Sequence, residues 1–218
     1  MANTHSISLF DRVTQVLGNI LLVIEEGLSR LYPREPRKSL SEDNYRFNRS
    51  KDILNEIIID QNTGELTGIN DFKIGKVNVG LSGCEIIAVN NALVYKEKEC
   101  SFADIEREFE LSGALTKVPF VPIGAYGSNP YALKRMIESF GLKTCRVSKK
   151  RICDIQGGII FSYWNYGGLI KGLHTVFMVH EDNRFTLYNY GRNGIEFLDW
   201  EQFKVRFYNR FIIGLQIN

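Results

Sequence analysis

The sequence predicts an α+β fold in which helices come first and an antiparallel sheet follows. Helical patterns dominate up to residue 141, whereas β-branched and aromatic runs dominate from residue 142 onward. This segregation along the chain is typical of α+β domains, in which helices pack against one part of a sheet. The 218 residues, 44% of them hydrophobic, suffice for a substantial core. We expect a main domain over 52–218 and an N-terminal extension over 1–51.

The N-terminal extension begins with a predicted amphipathic helix. Apolar residues from Leu9 to Leu31 recur with a period close to 3.6, Ser8 is placed as N-cap and Asp11 stands at the capping-box position. The polar, charge-dense range 32–51 predicts a linker or an arm that lies along the surface of the main domain. We expect the helix to dock on the main domain or to form a homodimer contact. A membrane-surface helix and a leader-like propeptide are the alternatives, and the acidic residues of the helix disfavour the first.

Start and stop signals place the elements of the main domain. A β-branched run predicts a strand over 53–60, before the helices of the main domain begin. The range from Cys84 to about Tyr95 is apolar nearly all round, which predicts a helix in the middle of the domain. The remaining expected elements are helices over 101–111 and 128–141, strands over 142–147, 158–164, 173–180, 185–190 and 210–217, and a short helix after the cap Asp199.

Cys84 is the first candidate for chemistry. A glycine-rich loop over 78–83 leads directly into the predicted helix, so the thiol lies in its first turn. Unpaired amides and the positive end of the helix dipole stabilise a thiolate there, and we expect the pKa of Cys84 to be lowered. Asn78, six residues upstream, is placed to donate a hydrogen bond to an oxyanion beside the Cys84 amide. The loop therefore predicts acyl-transfer chemistry.

A base and an orienting group are predicted on a hairpin further along the chain. Two β-rich runs flank the turn signal Asp182-Asn183. With that tip, paired residues have numbers that sum to 365, which pairs Val176 with Asn189. His174 lies on the same face as Val176 and is therefore diagonal to Asn189, roughly 7 Å away between backbones. Thiol catalysis requires such a base and a group that fixes its tautomer.

Other polar residues have structural explanations. His180 lies six residues beyond His174, roughly 20 Å along the strand, and is expected near the turn rather than at the thiol. Asp199 competes with Asn189 as orienting residue but is better placed as a helix N-cap. Asn90 and Asn91, in the predicted buried helix, are expected to bond the backbone of a neighbouring segment.

The order of these motifs resembles the papain-like cysteine peptidases, and more closely the bacterial branch that includes the bacteriocin-processing peptidases. The resemblance covers roughly Gly75 to Ile217. It implies a papain-like fold with a cysteine-bearing central helix. It further implies that Cys84 is the nucleophile, His174 the base, Asn189 the orienting residue and Asn78 the oxyanion-hole residue.

The chain departs from the family pattern at two positions. The family usually has Gln where this chain has Asn78, so the oxyanion donor is one methylene shorter. The bacteriocin branch usually has Gly where this chain has Glu85. A carboxylate at that position raises the pKa of Cys84 if the two groups are close.

The predicted function is a cysteine peptidase that hydrolyses peptide bonds. Two alternatives remain open: an acyltransferase on the same scaffold, and a catalytically inactive papain-like module that binds a peptide or partner. No cofactor is expected, and the cysteines and histidines lack the short paired spacings of a zinc site.

Composition limits the partners and the compartment. A net charge of +2 gives no field for nucleic acid, so a peptide or protein substrate is the expected partner. The apolar run from Val16 to Ile24 is too short for an integral membrane segment. Four cysteines without dense pairing, and no secretory signal, predict a cytoplasmic location.

Overall fold

The computed structural model describes residues 8–31, 35–51, 55–61, 69–116, 124, 126–166, 168–190 and 194–218. Within these ranges the chain is a mixed α+β fold, as predicted. The helices are α1 (Leu9–Ser29), α2 (Glu35–Arg49), α3 (Val79–Ser82), α4 (Cys84–Tyr95), α5 (Phe102–Ser112), α6 (Leu133–Ser139) and α7 (Trp200–Phe207). The strands are β1 (Lys73–Ile74), β2 (Val77–Asn78), β3 (Thr144–Val147), β4 (Gly157–Trp164), β5 (Leu173–Glu181), β6 (Arg184–Tyr188), β7 (Ile195–Leu198) and β8 (Phe211–Ile217).

Six of these strands form one antiparallel sheet in the order β3-β8-β4-β5-β6-β7, and β1 pairs with β2 in a separate ribbon. The β5–β6 hairpin has the predicted register, because Phe177 pairs with Tyr188. Its tip is Asp182-Asn183, with φ of 50° and 60°. Two consecutive positive φ values match the twist of a tight hairpin, which explains why these residue types form the turn.

Helix α4 lies between the sheet and helices α5 and α6. Ten consecutive residues of this helix, from Cys84 to Leu93, are buried. One apolar cluster joins α4, α5 and α6 to one side of the sheet, and Phe177 on β5 belongs to it. A second cluster contains Phe161 of β4 together with Phe203 and Phe207 of α7. Helices thus cover both faces of the sheet, and this burial holds the N-terminus of α4 against β5.

The range 32–51, expected to be a linker or a surface-hugging arm, contains a helix that was not predicted, α2 at Glu35–Arg49. Its buried side chains are polar, and the two asparagines among them bond to groups of other elements. Asn44 Nδ2 donates to Gly75 O at 2.9 Å and to Glu110 Oε1 at 2.6 Å. Asn48 Nδ2 donates to Glu106 Oε2 at 2.9 Å. A helix that docks through asparagines has no apolar stripe, so hydrophobic periodicity did not indicate it.

The predicted strand over 53–60 is also wrong over its described part, residues 55–60, which form no strand; residues 53 and 54 lie outside the described residues. Side chains of α4 bind this segment instead. Asn91 Oδ1 accepts from Ile58 N and its Nδ2 donates to Ile58 O, each at 2.8 Å. Asn90 Nδ2 donates to Glu56 O at 2.8 Å. The structural role expected for both asparagines is confirmed. β7 was not predicted.

Candidate active site

Cys84 is the first residue of α4 and is 7% exposed. The preceding residue is glycine for a steric reason: a Cβ on Gly83 would lie 2.7 Å from Val79 O. The Cys84 thiol donates a hydrogen bond to Glu85 Oε2 at 3.2 Å. The other oxygen of the same carboxylate, Glu85 Oε1, accepts from Thr175 Oγ1 at 3.5 Å. Glu85 therefore links the thiol to the residue that follows His174.

The expectation that the helix terminus lowers the pKa of Cys84 is wrong. Burial raises the pKa of Cys84 well above its usual range, and the charge of Glu85 raises it further, while the Thr175 N–H acts in the opposite direction. Desolvation and a like charge outweigh the stabilisation that first-turn amides give a thiolate. The resting side chain is a neutral thiol.

Glu85 is fully buried and takes part in the site. Desolvation raises its pKa to about 7, although hydrogen bonds from the Cys84 thiol and the Ser128 backbone lower it. Thr175 Oγ1 lies 3.5 Å from Glu85 Oε1. A Cβ on Gly127 would lie 3.0 Å from Glu85 Oε2, so the chain passes close over the carboxylate. This group can hold or release a proton near neutral pH.

His174 is at the start of β5, as predicted, and its ring is oriented by the main chain. His174 Nε2 lies 2.8 Å from the backbone oxygen of Asn189. A carbonyl only accepts, so Nε2 carries the proton and Nδ1 the lone pair. Burial lowers the pKa of His174. The ring packs edge-on against Tyr163, with centroids 5.8 Å apart. His174 is therefore a neutral imidazole with a basic Nδ1.

Asn189 contacts His174 through its backbone, whereas the resemblance implied its side chain. The residue follows β6 with φ of 61°, a left-handed conformation that asparagine tolerates. Its carboxamide faces Gln61: Oδ1 accepts from Gln61 N at 2.9 Å and Nδ2 donates to Gln61 Oε1 at 3.0 Å. Gln61 Nε2 in turn donates to Gly80 O at 3.1 Å. No sequence pattern indicated that Gln61 joins the hairpin to the cysteine loop.

Asn78 ends β2 and precedes α3. Its Oδ1 accepts from Lys73 Nζ at 3.0 Å. Among the described residues its Nδ2 makes no hydrogen bond, so the donor end of the amide is open. An oxyanion hole requires an N–H group that is available to donate in this way.

Hydrogen bonds place three of the four predicted residues in one region. The Cys84 thiol is bonded to Glu85, and Glu85 is bonded to the hydroxyl of Thr175, the residue that follows His174. His174 is bonded to Asn189. Within the described part of the chain, no hydrogen bond joins the Cys84 thiol to the His174 ring. Hydrogen bonds between catalytic groups are often long without substrate and shorten when it binds. Asn78 belongs to the cysteine loop and is bonded to none of the three.

A cavity of about 470 Å³ lies against α1, and its lining includes none of the site residues described above. Residue Leu173, which precedes His174, forms part of its wall. Its lining is mainly apolar and includes Leu21, Ile24 and Leu28 of α1 together with Tyr126 and Trp164. Mainly apolar pockets with a few polar groups at one end are typical of ligand sites.

Comparisons with known proteins assign no family. No protein-family model matches the chain, and no curated protein matches it significantly. Among the residues that the structure describes, no three His, Cys, Asp or Glu side chains are grouped as metal ligands. In the same ranges, every helix is too short or too polar to cross a bilayer.

Proposed function

We propose that this chain is a cysteine peptidase with a papain-like fold. The observation that supports the proposal best is the position of Cys84, at the N-terminus of a buried helix and linked through Glu85 to Thr175, the residue that follows His174. A nucleophile, a base with a fixed tautomer and a group that orients the base thus come from three separated segments. The open amide of Asn78 and the Cys84 N–H are the proposed oxyanion donors.

The proposed reaction has two steps. Cys84 transfers its proton to His174 Nδ1, and the sulfur attacks the carbonyl carbon of a peptide bond while the π electrons move to oxygen. The tetrahedral intermediate then collapses, the C–N bond breaks, and the imidazolium gives its proton to the leaving amine. Water attacks the resulting thioester as His174 takes a proton from it. The second tetrahedral intermediate collapses, the C–S bond breaks, and the imidazolium returns its proton to the sulfur, so the acid leaves and the thiol is restored.

Glu85 introduces a second proton acceptor. Among the described residues, Glu85 is the only carboxylate that accepts a hydrogen bond from the Cys84 thiol. Its pKa of about 7 suits proton transfer near neutral pH. Because its charge also raises the pKa of Cys84, it favours the neutral thiol until substrate enters. We assign His174 as the base, and Glu85 as the group that keeps the resting thiol protonated.

Labelling with a peptide vinyl sulfone, followed by mapping of the modified cysteine, tests the proposal. A small alkylating reagent is unsuitable because Cys145 is exposed and Cys84 is buried. We expect the peptide electrophile to modify Cys84 and His174→Ala to slow this by about 100-fold or more. Cys145→Ser is the matched control and should leave the rate at Cys84 unchanged.

The Glu85→Gln variant identifies the base. If His174 is the base, removal of the carboxylate lowers the pKa of the thiol, and labelling at pH 7 becomes faster. If Glu85 is the base, the same variant becomes slower. Modification of Cys145 or Cys153 in place of Cys84 in the folded protein would overturn the assignment of the nucleophile.

A non-catalytic binding module is the second candidate. The raised pKa of Cys84 and its low exposure favour this alternative, because an inert buried thiol has the same properties. A module of this kind would bind a peptide in the cavity beside Leu173, and Cys84→Ala would leave that affinity unchanged. A non-catalytic module would also not react with the peptide vinyl sulfone.

A further inference from the structure

Helix α1 docks on the rest of the chain through its polar and small residues. Its buried residues are Gln15, Gly18, Leu22, Glu26 and Ser29. A Cβ on Gly18 would lie 2.6 Å from the Trp164 ring, so the helix approaches closely there. Trp164 Nε1 donates to Asn19 Oδ1 at 3.0 Å, and Arg135 Nε donates to Glu26 Oε1 at 2.9 Å. This orientation is the reverse of that usual for an amphipathic helix, whose apolar stripe faces the core.

Most apolar side chains of α1 are consequently about half exposed or more, and three of them, Leu21, Ile24 and Leu28, also line the cavity beside Trp164. The exposed apolar side chains range from 48% exposed at Leu28 to 79% at Leu31. From Val13 to Ile24 the sequence contains no charged residue. If each side chain exposes about 80 Å², the set exposes on the order of 900 Å² of apolar surface. Patches on monomeric proteins rarely exceed about 600 Å². The exposed set is Leu9, Phe10, Val13, Val16, Leu17, Ile20, Leu21, Val23, Ile24, Leu28 and Leu31.

The outward surface has the spacing of a coiled-coil seam. Starting at Phe10, exposed positions without charge recur at alternating intervals of three and four residues over three heptads. This seam consists of Phe10, Val13, Leu17, Ile20, Ile24 and Gly27 of α1, and Leu31 continues the spacing two residues beyond the end of the helix. A heptad repeat keeps a seam facing a second helix, whereas burial against a globular surface needs no such repeat.

We propose that α1 packs along this seam against α1 of a second copy of the chain, forming a homodimer. The exposed apolar area is comparable to the roughly 800 Å² per partner of a standard stable interface. The absence of charge at the centre of the seam suits the core of an interface between identical surfaces. The side chains that flank the seam, such as Val16 and Leu28, form the rim of the contact.

Charge on α1 favours a second copy over a lipid surface. Helices that lie on membranes carry several basic residues on the polar face. The basic residues of α1 and its C-cap are Arg12 and Arg30, and the acidic residues Asp11, Glu25 and Glu26 outnumber them. Arg30 is moreover paired with Glu26 at 3.1 Å.

Sedimentation equilibrium of the full chain between about 1 and 100 µM tests the proposal. We expect a dimer for the natural sequence. Ile20 is 51% exposed, so Ile20→Glu should leave the fold intact and weaken the dimer by at least about 100-fold. Phe197→Glu is the matched control: Phe197 is 57% exposed on β7, outside the seam, and its change should leave the dimer constant unaltered.

Circular dichroism confirms that each variant is folded, and Ile20→Asn replaces Ile20→Glu if the charged variant unfolds. A monomer at 100 µM overturns the proposal, as does a dimer that responds to Phe197→Glu and not to the seam variant. Flotation with vesicles of phosphatidylcholine and phosphatidylglycerol provides the last arm. If the chain is monomeric in solution, binds these vesicles and loses this binding with Ile20→Glu, the partner of α1 is a membrane surface and not a second copy.

Discussion

Glu26 and Glu85 are both buried glutamates on helices, and their environments shift their pKa values in opposite directions. Burial alone raises the pKa of each. At Glu26 hydrogen bonds and charges from Arg135 and Arg30 reverse this effect, and its pKa is lowered overall. No cation is bonded to Glu85 among the described residues, and its pKa rises to about 7.

The difference separates a structural anchor from a site able to transfer protons. Glu26 stays ionised and attaches α1 to Arg135 through two hydrogen bonds, at 2.9 and 3.2 Å. Glu85 is bonded to a thiol and a hydroxyl, groups that stabilise a carboxylate less than a guanidinium does. A carboxyl group kept near its titration point by such neighbours is typical of functional sites.

The largest expected effect is at Glu85. A carboxyl group whose folded-state pKa is raised contributes stability that is complete below its unfolded pKa, 4.5, and is lost as pH rises through about 7. Glu85→Gln removes this dependence. Between pH 5 and 8 the variant should therefore gain on the order of 3 kcal/mol in unfolding free energy relative to the natural protein.

Urea unfolding of both proteins at several pH values measures this gain. Two other groups titrate in the native protein: Glu106, whose pKa burial and Glu110 raise, and His174, whose pKa burial lowers. Both are present in the two proteins and cancel in the difference. A difference that stays constant with pH would show that Glu85 is ionised in the folded state.

Arg135→Met tests the anchor and should have the second-largest effect. It leaves the Glu26 carboxylate buried with Arg30 as its remaining partner, which should cost about 2 kcal/mol of unfolding free energy at pH 7. In a double-mutant cycle with Glu26→Gln, the two losses should be less than additive. Full additivity in urea unfolding would mean that the pair contributes nothing.

Asn189 distinguishes backbone from side-chain orientation of His174. Asn189→Gly keeps the left-handed conformation, whereas Asn189→Ala strains it and displaces the carbonyl that bonds His174. Both variants lose the hydrogen bonds to Gln61. We expect labelling of Cys84 by the peptide electrophile to be about tenfold slower in the alanine variant than in the glycine variant. Equal labelling rates in the two variants, both of which lack the carboxamide, would indicate that the carboxamide orients His174.

The smallest expected effect is at Arg30, the outer partner of Glu26. Its side chain is 65% exposed, so solvent and salt screen the ion pair. Arg30→Met should cost less than about 0.5 kcal/mol of unfolding free energy, and less still in 0.5 M salt. A loss equal to that of Arg135→Met would contradict the division of the anchor into an inner and an outer cation.

Predictions from the sequence succeeded where the signal was local. The capping box of Ser8 and Asp11 is present, α4 has the predicted bounds, and the hairpin register follows from its turn residues. Each of these depends on residues close together in the chain. The predictions failed for α2, which docks through asparagines, and for residues 55–60, whose backbone is bonded by Asn90 and Asn91.

Residue order alone established which groups are available: a thiol at a helix start, a histidine at a strand start, and an asparagine placed diagonally by the hairpin register. Their proton states and contacts depend on groups distant in sequence. At Cys84 the effect of burial on the pKa outweighs that of the helix terminus. The carboxamide of Asn189 forms hydrogen bonds with Gln61. The face that α1 buries depends on Trp164 and Arg135. Hydrogen bonds and desolvation act over a few ångströms, so the groups that contact one another are determined only in the folded chain.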